Sequence, residues 1–133
     1  MFTEGLKKPR GGNSWQPRHS DSQELDVARH AGGQYVYVVD DSETVFVVPD
    51  GPHRHPQVLG RGLQALYAGE VALNKSGWVT ELNNLSGTFQ FQSSDGLRCV
   101  AEKLQQRGIS IDQDALTYYD PAGSTGGIAI SLP

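Results

Sequence analysis

The chain of 133 residues has a single cysteine, and no stretch approaches the roughly 18 consecutive apolar residues of a membrane-spanning helix. Lone Cys99 excludes an intrachain disulfide and favours a reducing compartment. The first residues, MFTEGLKKPRGG, lack the apolar core that a secretory signal needs. A cytoplasmic protein without membrane contact is the expectation. An excess of positive charge is missing too: 11 Lys and Arg stand against 15 Asp and Glu, a net charge of -4. That balance excludes wholesale coating of nucleic acid. Apolar residues are sparse at 37%, which predicts that part of the chain stays outside the core.

What basic charge there is gathers at the start. Residues 1–20 hold Lys7, Lys8, Arg10 and Arg18 against the one acid Glu4, with Pro, Gly and Ser but no apolar periodicity. Residues 1–25 therefore read as a flexible basic arm and 26–133 as a single domain. Trp15 could let such an arm touch an acidic partner or RNA, but a plain tail accounts for the composition. A short helix is expected over Gln23–Ala31, ended by Gly32-Gly33.

From Gln34 the apolar period becomes two. QYVYVV sets Tyr35 and Tyr37 on one face and Val36 and Val38 on the other. DDSE is a turn, and TVFVV (Thr44–Val48) returns as the second arm of a hairpin. Three more strands are predicted at Tyr67–Leu73, Trp78–Leu82 and Thr88–Gln92, and two in the tail within ALTYYD and GIAISL. Leu97, Val100, Ala101 and Leu104 recur at helical spacing between a serine cap and Gly108. The fold class is α+β: a twisted antiparallel sheet of five to seven strands, one face covered by a main helix at about 95–107 and the other partly wet.

The densest chemistry lies in the loop GPHRHPQVLGRG, residues 51–62. In an extended chain His53 and His55 project to the same side and could share a metal. The remaining pool, His19, His30, Glu70 and Cys99, contains no second closely spaced pair, so no metal and no cofactor are expected. Gly60-Arg61-Gly62 resembles half a dinucleotide fingerprint, but the third glycine and a preceding strand are absent. Arg54 and Arg61 could instead meet an anion. Glu70 on its strand is either a general base or the solvent-facing member of the alternation. No nucleophile is accompanied by a base and an orienting third group.

The order of these motifs resembles a known family. YVYVV, TVFVV, HRHPQVLGRG, YAGEVAL, SGWVTELNN, LSGTFQF and GLRCVAEKLQQRGISI, over about 34–111, are similar to the domain of the plant IQ-motif calmodulin-binding (IQM) proteins and apparent fungal and bacterial relatives. The resemblance places His55 at the family's loop histidine, Gly60 and Gly62 near its glycines, Ala68-Gly69-Glu70 at its Ala-Gly strand start and Ser86-Gly87 at its Ser-Gly. Pro56-Gln57 stands where the family has Ser-Ser, and Thr88-Phe89 where it has His-Tyr. The resemblance thus implies a fold and a site location, with fewer reactive side chains at that site. There is no IQ motif, so calmodulin binding is not implied.

The expected function is a non-enzymatic binding or protein-interaction module, an accessory protein in a bacterial system. Its site is expected at loop 51–62 and to comprise Arg54, His55, Arg61, Glu70, Asn84 and Ser86. The partner would be a protein or a small anionic ligand, and self-association through a sheet edge is open to such a sheet. Nucleic acid is not expected. The alternative is a small transferase-like enzyme acting on a nucleotide-like substrate through His55, Tyr67 and Glu70.

Overall fold

The period-two segments become one sheet in the computed structural model, which describes residues 2–11, 15–51, 54–123 and 126–133. In chain order the elements are β1 (Gln23–Glu24), α1 (Val27–His30), β2 (Gln34–Val39), β3 (Val45–Pro49), α2 (His55–Leu59), β4 (Tyr67–Leu73), β5 (Val79–Asn83), α3 (Ser94–Gln106), β6 (Leu116–Tyr118) and β7 (Ile128–Ala129). Seven strands line up as β1-β3-β2-β4-β5-β6-β7. All neighbours are antiparallel except β5 and β6, which run parallel with α3 as their crossover. The sheet is therefore mixed and open, and the fold is α+β. Both edge strands are only two residues long, a common protection against edge-to-edge pairing.

Pairing of Val39 with Tyr67 and Tyr37 with Gly69 puts Tyr37, Val39 and Tyr67 on one face. α3 covers that face. Its cap, Ser93, accepts the Asp95 amide, and Leu97, Val100, Ala101 and Leu104 are fully buried, as the periodicity predicts. Gly96 lies against the Tyr67 ring so closely that a side chain there would overlap it. The opposite face carries Val36, Val38, Phe46 and Glu70, and α2 packs there against β2 and β3. Val36 through Val39 are all buried, so the expected wet face is covered at the centre of the sheet.

Other expectations are corrected by where backbone hydrogen bonds go. Residues 55–59 within the expected 51–62 loop form α2, because Pro56 suits a first helical turn and Gly60 closes it at φ 79°. Thr88–Gln92 is not a strand, although Phe89 and Phe91 are buried as its alternation implies. Its amides go to side chains: Ser86 Oγ accepts from Thr88 and Phe89, and Glu4 accepts from Gln92 and Ser93. The helix expected over Gln23–Ala31 shrinks to α1, capped by Asp26, because Gln23 and Glu24 pair with β3.

The segment set apart as a free basic arm is laid along the domain. Lys7 and Ala65 exchange backbone hydrogen bonds, Arg10 donates to the Thr88 carbonyl, and the Arg61 amide donates to Gln16. The His19 amide donates to Gln57, and Ser22 Oγ donates to the Val58 carbonyl. Apolar periodicity could not reveal this attachment, because it is made by backbone groups and by the Glu4 carboxylate.

Candidate functional site

The site begins where two paired strands part. β4 and β5 pair at Val71 with Leu82 and at Ala72 with Glu81. The next rung would set Glu70 against Asn83. There the Glu70 amide donates instead to Asn83 Oδ1 at 2.9 Å, so a side chain substitutes for the ladder. The same Oδ1 accepts from the Leu85 amide, and Asn83 Nδ2 donates to the carboxylates of Glu70 (3.2 Å) and Glu81 (3.0 Å). Gly69 makes the parting possible: the Asn83–Asn84 backbone crosses so close to it that any Cβ would overlap the Asn83 carbonyl.

α2 delivers an imidazole to this point. His55, 9% exposed, donates from Nε2 to the Gly69 carbonyl at 2.8 Å, which fixes the tautomer and leaves Nδ1 as the basic nitrogen. Burial pushes its pKa below the ordinary 6.5, against smaller upward pulls from that hydrogen bond and from Asp50. Glu70 moves the other way: burial raises its pKa above the ordinary 4.5, opposed by the Asn83 hydrogen bond and reinforced by Asp50 and Glu81.

Around these groups lies a cleft of about 500 Å³. Its floor is Val36, His55 and Glu70, and its walls are Asp50-Gly51, the 84–87 turn with Gln90, and the 119–123 segment. Asn84 joins two of the walls, donating to the carbonyls of Tyr119 (2.7 Å) and Phe91 (3.3 Å) and accepting from the Tyr119 amide (2.7 Å). Three carboxylates, Asp50, Glu70 and Asp120, face the cleft, and among its described lining residues there is no lysine or arginine.

The sequence-predicted residues divide accordingly. His55, Glu70, Asn84 and Ser86 line one cleft. Asn84 spends its polar atoms on the walls, and Ser86 Oγ accepts the amides of its own turn. Arg54 packs beside Gly51 outside the lining, and Arg61 borders a different groove. Tyr67 is on the α3 face, its hydroxyl donating to the Ser93 carbonyl at 2.8 Å, so the trio His55, Tyr67 and Glu70 does not assemble. His53 lies outside the described residues. No group of three His, Cys, Asp or Glu side chains close enough to hold a metal occurs among the described residues. Asp50, Tyr119 and Asp120 were not singled out in the sequence, and Asn83 only as the start of the NNLSG turn. Asp50 and Asp120 lie just past the ends of β3 and β6, and the role of Asn83 comes from its carboxamide replacing a ladder rung, which no periodic pattern marks.

Comparison with known families, with curated proteins and with solved structures finds no match to this chain. No helix among the described residues is long and apolar enough to cross a membrane.

Proposed function

We propose that this chain is a binding module whose cleft receives a positively charged, hydrogen-bonding group. That group would be the side chain of a lysine or arginine on a partner protein, or a small amine of the same chemistry. One observation carries the reading: Asp50, Glu70 and Asp120 line the same cleft as the buried His55, with no lysine or arginine among its described lining residues. A carboxylate raised by burial and by like-charged neighbours is relieved when a cation arrives, so binding and ionisation of Glu70 reinforce one another. The same charge distribution weighs against a small anionic ligand, since Arg54 and Arg61 are outside the cleft. Kinship with the IQ-motif family domain is part of this proposal. It is supported by the meeting of His55, Ala68-Gly69-Glu70 and Ser86-Gly87, which carry the resemblance, at or beside one cleft.

The test is amide chemical-shift mapping on the full chain. Acetyl-lysine methylamide, acetyl-arginine methylamide, short peptides containing either residue, glucose and acetyl-glutamate methylamide would each be titrated. The proposal requires shifts at Glu70, Asn84, Ser86 and Asp120 with the cationic probes, abolished in Glu70→Gln. Peptides binding at least about tenfold tighter than the single residues would mark a protein partner, and equal affinities a small amine. Response only to the acidic probe, or to none, rejects the cleft as a cation site.

A second reading, acid–base catalysis by His55 and Glu70, is favoured by one specific feature. The two groups have pKa values displaced toward each other in one cleft. Chemical change in any probe found to bind, lost in both His55→Asn and Glu70→Gln, would establish it over simple binding.

A further inference from the structure

One wall of the recess is held from behind by the N-terminal segment. No residue from 84 to 93 belongs to a strand, yet Ser86, Gly87 and Gln90 line the recess, so the backbone groups of this stretch need partners outside the sheet. Some partners come from within: Ser86 Oγ accepts the Thr88 and Phe89 amides, and Asn84 donates to the Phe91 carbonyl. Others come from residues 4–10. The Glu4 carboxylate accepts the Gln92 amide at 2.8 Å and the Ser93 amide at 3.0 Å. Lys7 Nζ donates to the Gln90 carbonyl at 2.9 Å and lies 4.9 Å from the centre of the Phe91 ring. Arg10 donates twice, from its amide to the Thr88 carbonyl and from its guanidinium to Oε1 of Gln90. Gln90 is therefore shared: it lines the recess, and Arg10 holds its side chain.

Polar contacts fasten the segment, and little apolar burial goes with them. Phe2 packs at 6.3 Å from the Tyr67 ring, but Leu6 and Trp15 remain 46% and 66% exposed. Farther along, Trp15 lies against Gly62, the His19 amide donates to Gln57, and the Arg61 amide donates to the Gln16 carbonyl at 2.6 Å. Arg61 belongs to a strained turn: Gly60, Arg61 and Gly62 are all left-handed, at φ 79°, 58° and 69°, which glycine adopts freely and arginine does not. A segment with few buried apolar contacts opens at a lower free energy than the core of its domain. Release of residues 4–10 would deprive the Gln92 and Ser93 amides, the Gln90 carbonyl and the Gln90 side chain of these partners, and the wall would loosen.

We infer that residues 4–10 are a detachable strap that sets the wall of the recess, so that docking of the strap and occupation of the recess by its cationic ligand reinforce each other. The inference rests on the cation-binding reading of the recess and adds its control. Lys7 and Arg10 are positioning residues in this scheme, acting on the ligand through Gln90 and the 88–93 backbone. Their charge works the other way. A positive side chain near the recess repels a cation, so its removal tightens binding by charge alone, whereas a loosened wall weakens it. The sign of the effect separates the two.

The experiment follows the full chain by amide NMR and hydrogen exchange, with acetyl-arginine methylamide as the probe. Neither the Lys7 nor the Arg10 side chain is buried, so Lys7→Ala and Arg10→Ala should both fold. Each should weaken the probe at least about fivefold, the lower end of ordinary coupling between sites. Arg10→Lys, which keeps a donor for Gln90, should restore most of the affinity. Coupling is reciprocal, so saturating probe should slow exchange at the Lys7 and Arg10 amides at least about fivefold. In the ligand-free protein, Arg10→Ala should displace the amide shifts of Asn84 and Ser86 on the wall. Unchanged or tighter binding in both alanine variants would overturn the strap, as would exchange indifferent to the probe or unmoved shifts at Asn84 and Ser86. A wild-type chain that binds no cationic probe, while Arg10→Ala still displaces those shifts, would overturn the cation reading and keep the strap as the element that sets the wall.

Discussion

The two ends of α2 differ in nearly everything that governs recognition. At its first residue, His55, the surface is a recess floored by buried polar groups and walled by carboxylates. Beyond its last, Leu59, the surface is a groove bordered by exposed leucine and tryptophan side chains and two arginines. The first end depends on the parting of β4 from β5, fixed by Gly69 and Asn83 deep in the sheet. The second depends on a strained surface turn and on the attachment of the N-terminal segment. The backbone frame of the recess should therefore be costly to disturb, whereas side chains of the groove can be altered with little effect on folding.

The largest effect should come at the parting of the strands. Gly69→Ala places a Cβ into the Asn83 carbonyl, and neither strand can shift freely beneath its covering. A loss of about 3 kcal/mol or more in urea unfolding is expected, at the upper end for overpacking. Leu104→Ala, on the α3 face away from both sites, gives the scale of ordinary core damage at about 2–5 kcal/mol. Gly69→Ala should additionally abolish ligand-induced shifts in the recess, and a Leu104→Ala protein that remains folded should keep them. If Gly69→Ala were neutral, the close backbone crossing would be contradicted.

A smaller loss is expected at the N-terminal segment. Glu4 accepts the amides of Gln92 and Ser93 and pairs with Lys7 at 2.9 Å, so Glu4→Ala should cost about 1.5–3 kcal/mol, the range for a hydrogen-bonded charge. Thermal unfolding that is unmoved by Glu4→Ala would restore the picture of a free arm.

The smallest effects should be the pH-dependent ones, and their signs differ. His55 and His30 both have pKa values held below the ordinary 6.5, first by burial. Their contribution to stability is complete above that value and is lost as pH falls through the lowered values, since the unfolded chain takes up protons first. Glu70, raised above 4.5, contributes oppositely, favouring the fold at low pH and opposing it as pH rises through its shifted value. Glu70→Gln should thus raise the melting temperature slightly at pH 7 and not at pH 4. A drop at pH 7 would mean that the carboxylate is structurally required.

Much of the architecture was legible in the residues because it rests on repetition. Alternation marked β2, β3, β4 and β5 to within a residue of their ends, and the 97-100-101-104 spacing marked the buried stripe of α3. What escaped was structure built from single polar groups. Glu4 satisfying two distant amides, Ser86 folding TFQFQ out of the sheet and Asn83 replacing a ladder rung leave no periodic trace. The site was half visible for the same reason. His55, Glu70, Asn84 and Ser86 belong to locally conspicuous motifs, while Asp50 and Asp120 reach the cleft only because β3 and β6 end beside it. Arg54 and Arg61 attracted attention as neighbours of His55 in sequence, yet Arg54 packs beside Gly51 outside the described lining of the recess and Arg61 borders the other groove.

The central claim is that Glu70, beside His55, receives a cation. Acetyl-arginine methylamide keeps its charge at all accessible pH values, so the pH dependence of its affinity reports the protein alone. Binding should strengthen as pH rises through the elevated pKa of Glu70 and the lowered pKa of His55, and Glu70→Gln should lose the Glu70 part of that rise. Affinity that strengthens as pH falls, or an unchanged profile in Glu70→Gln, would contradict the account.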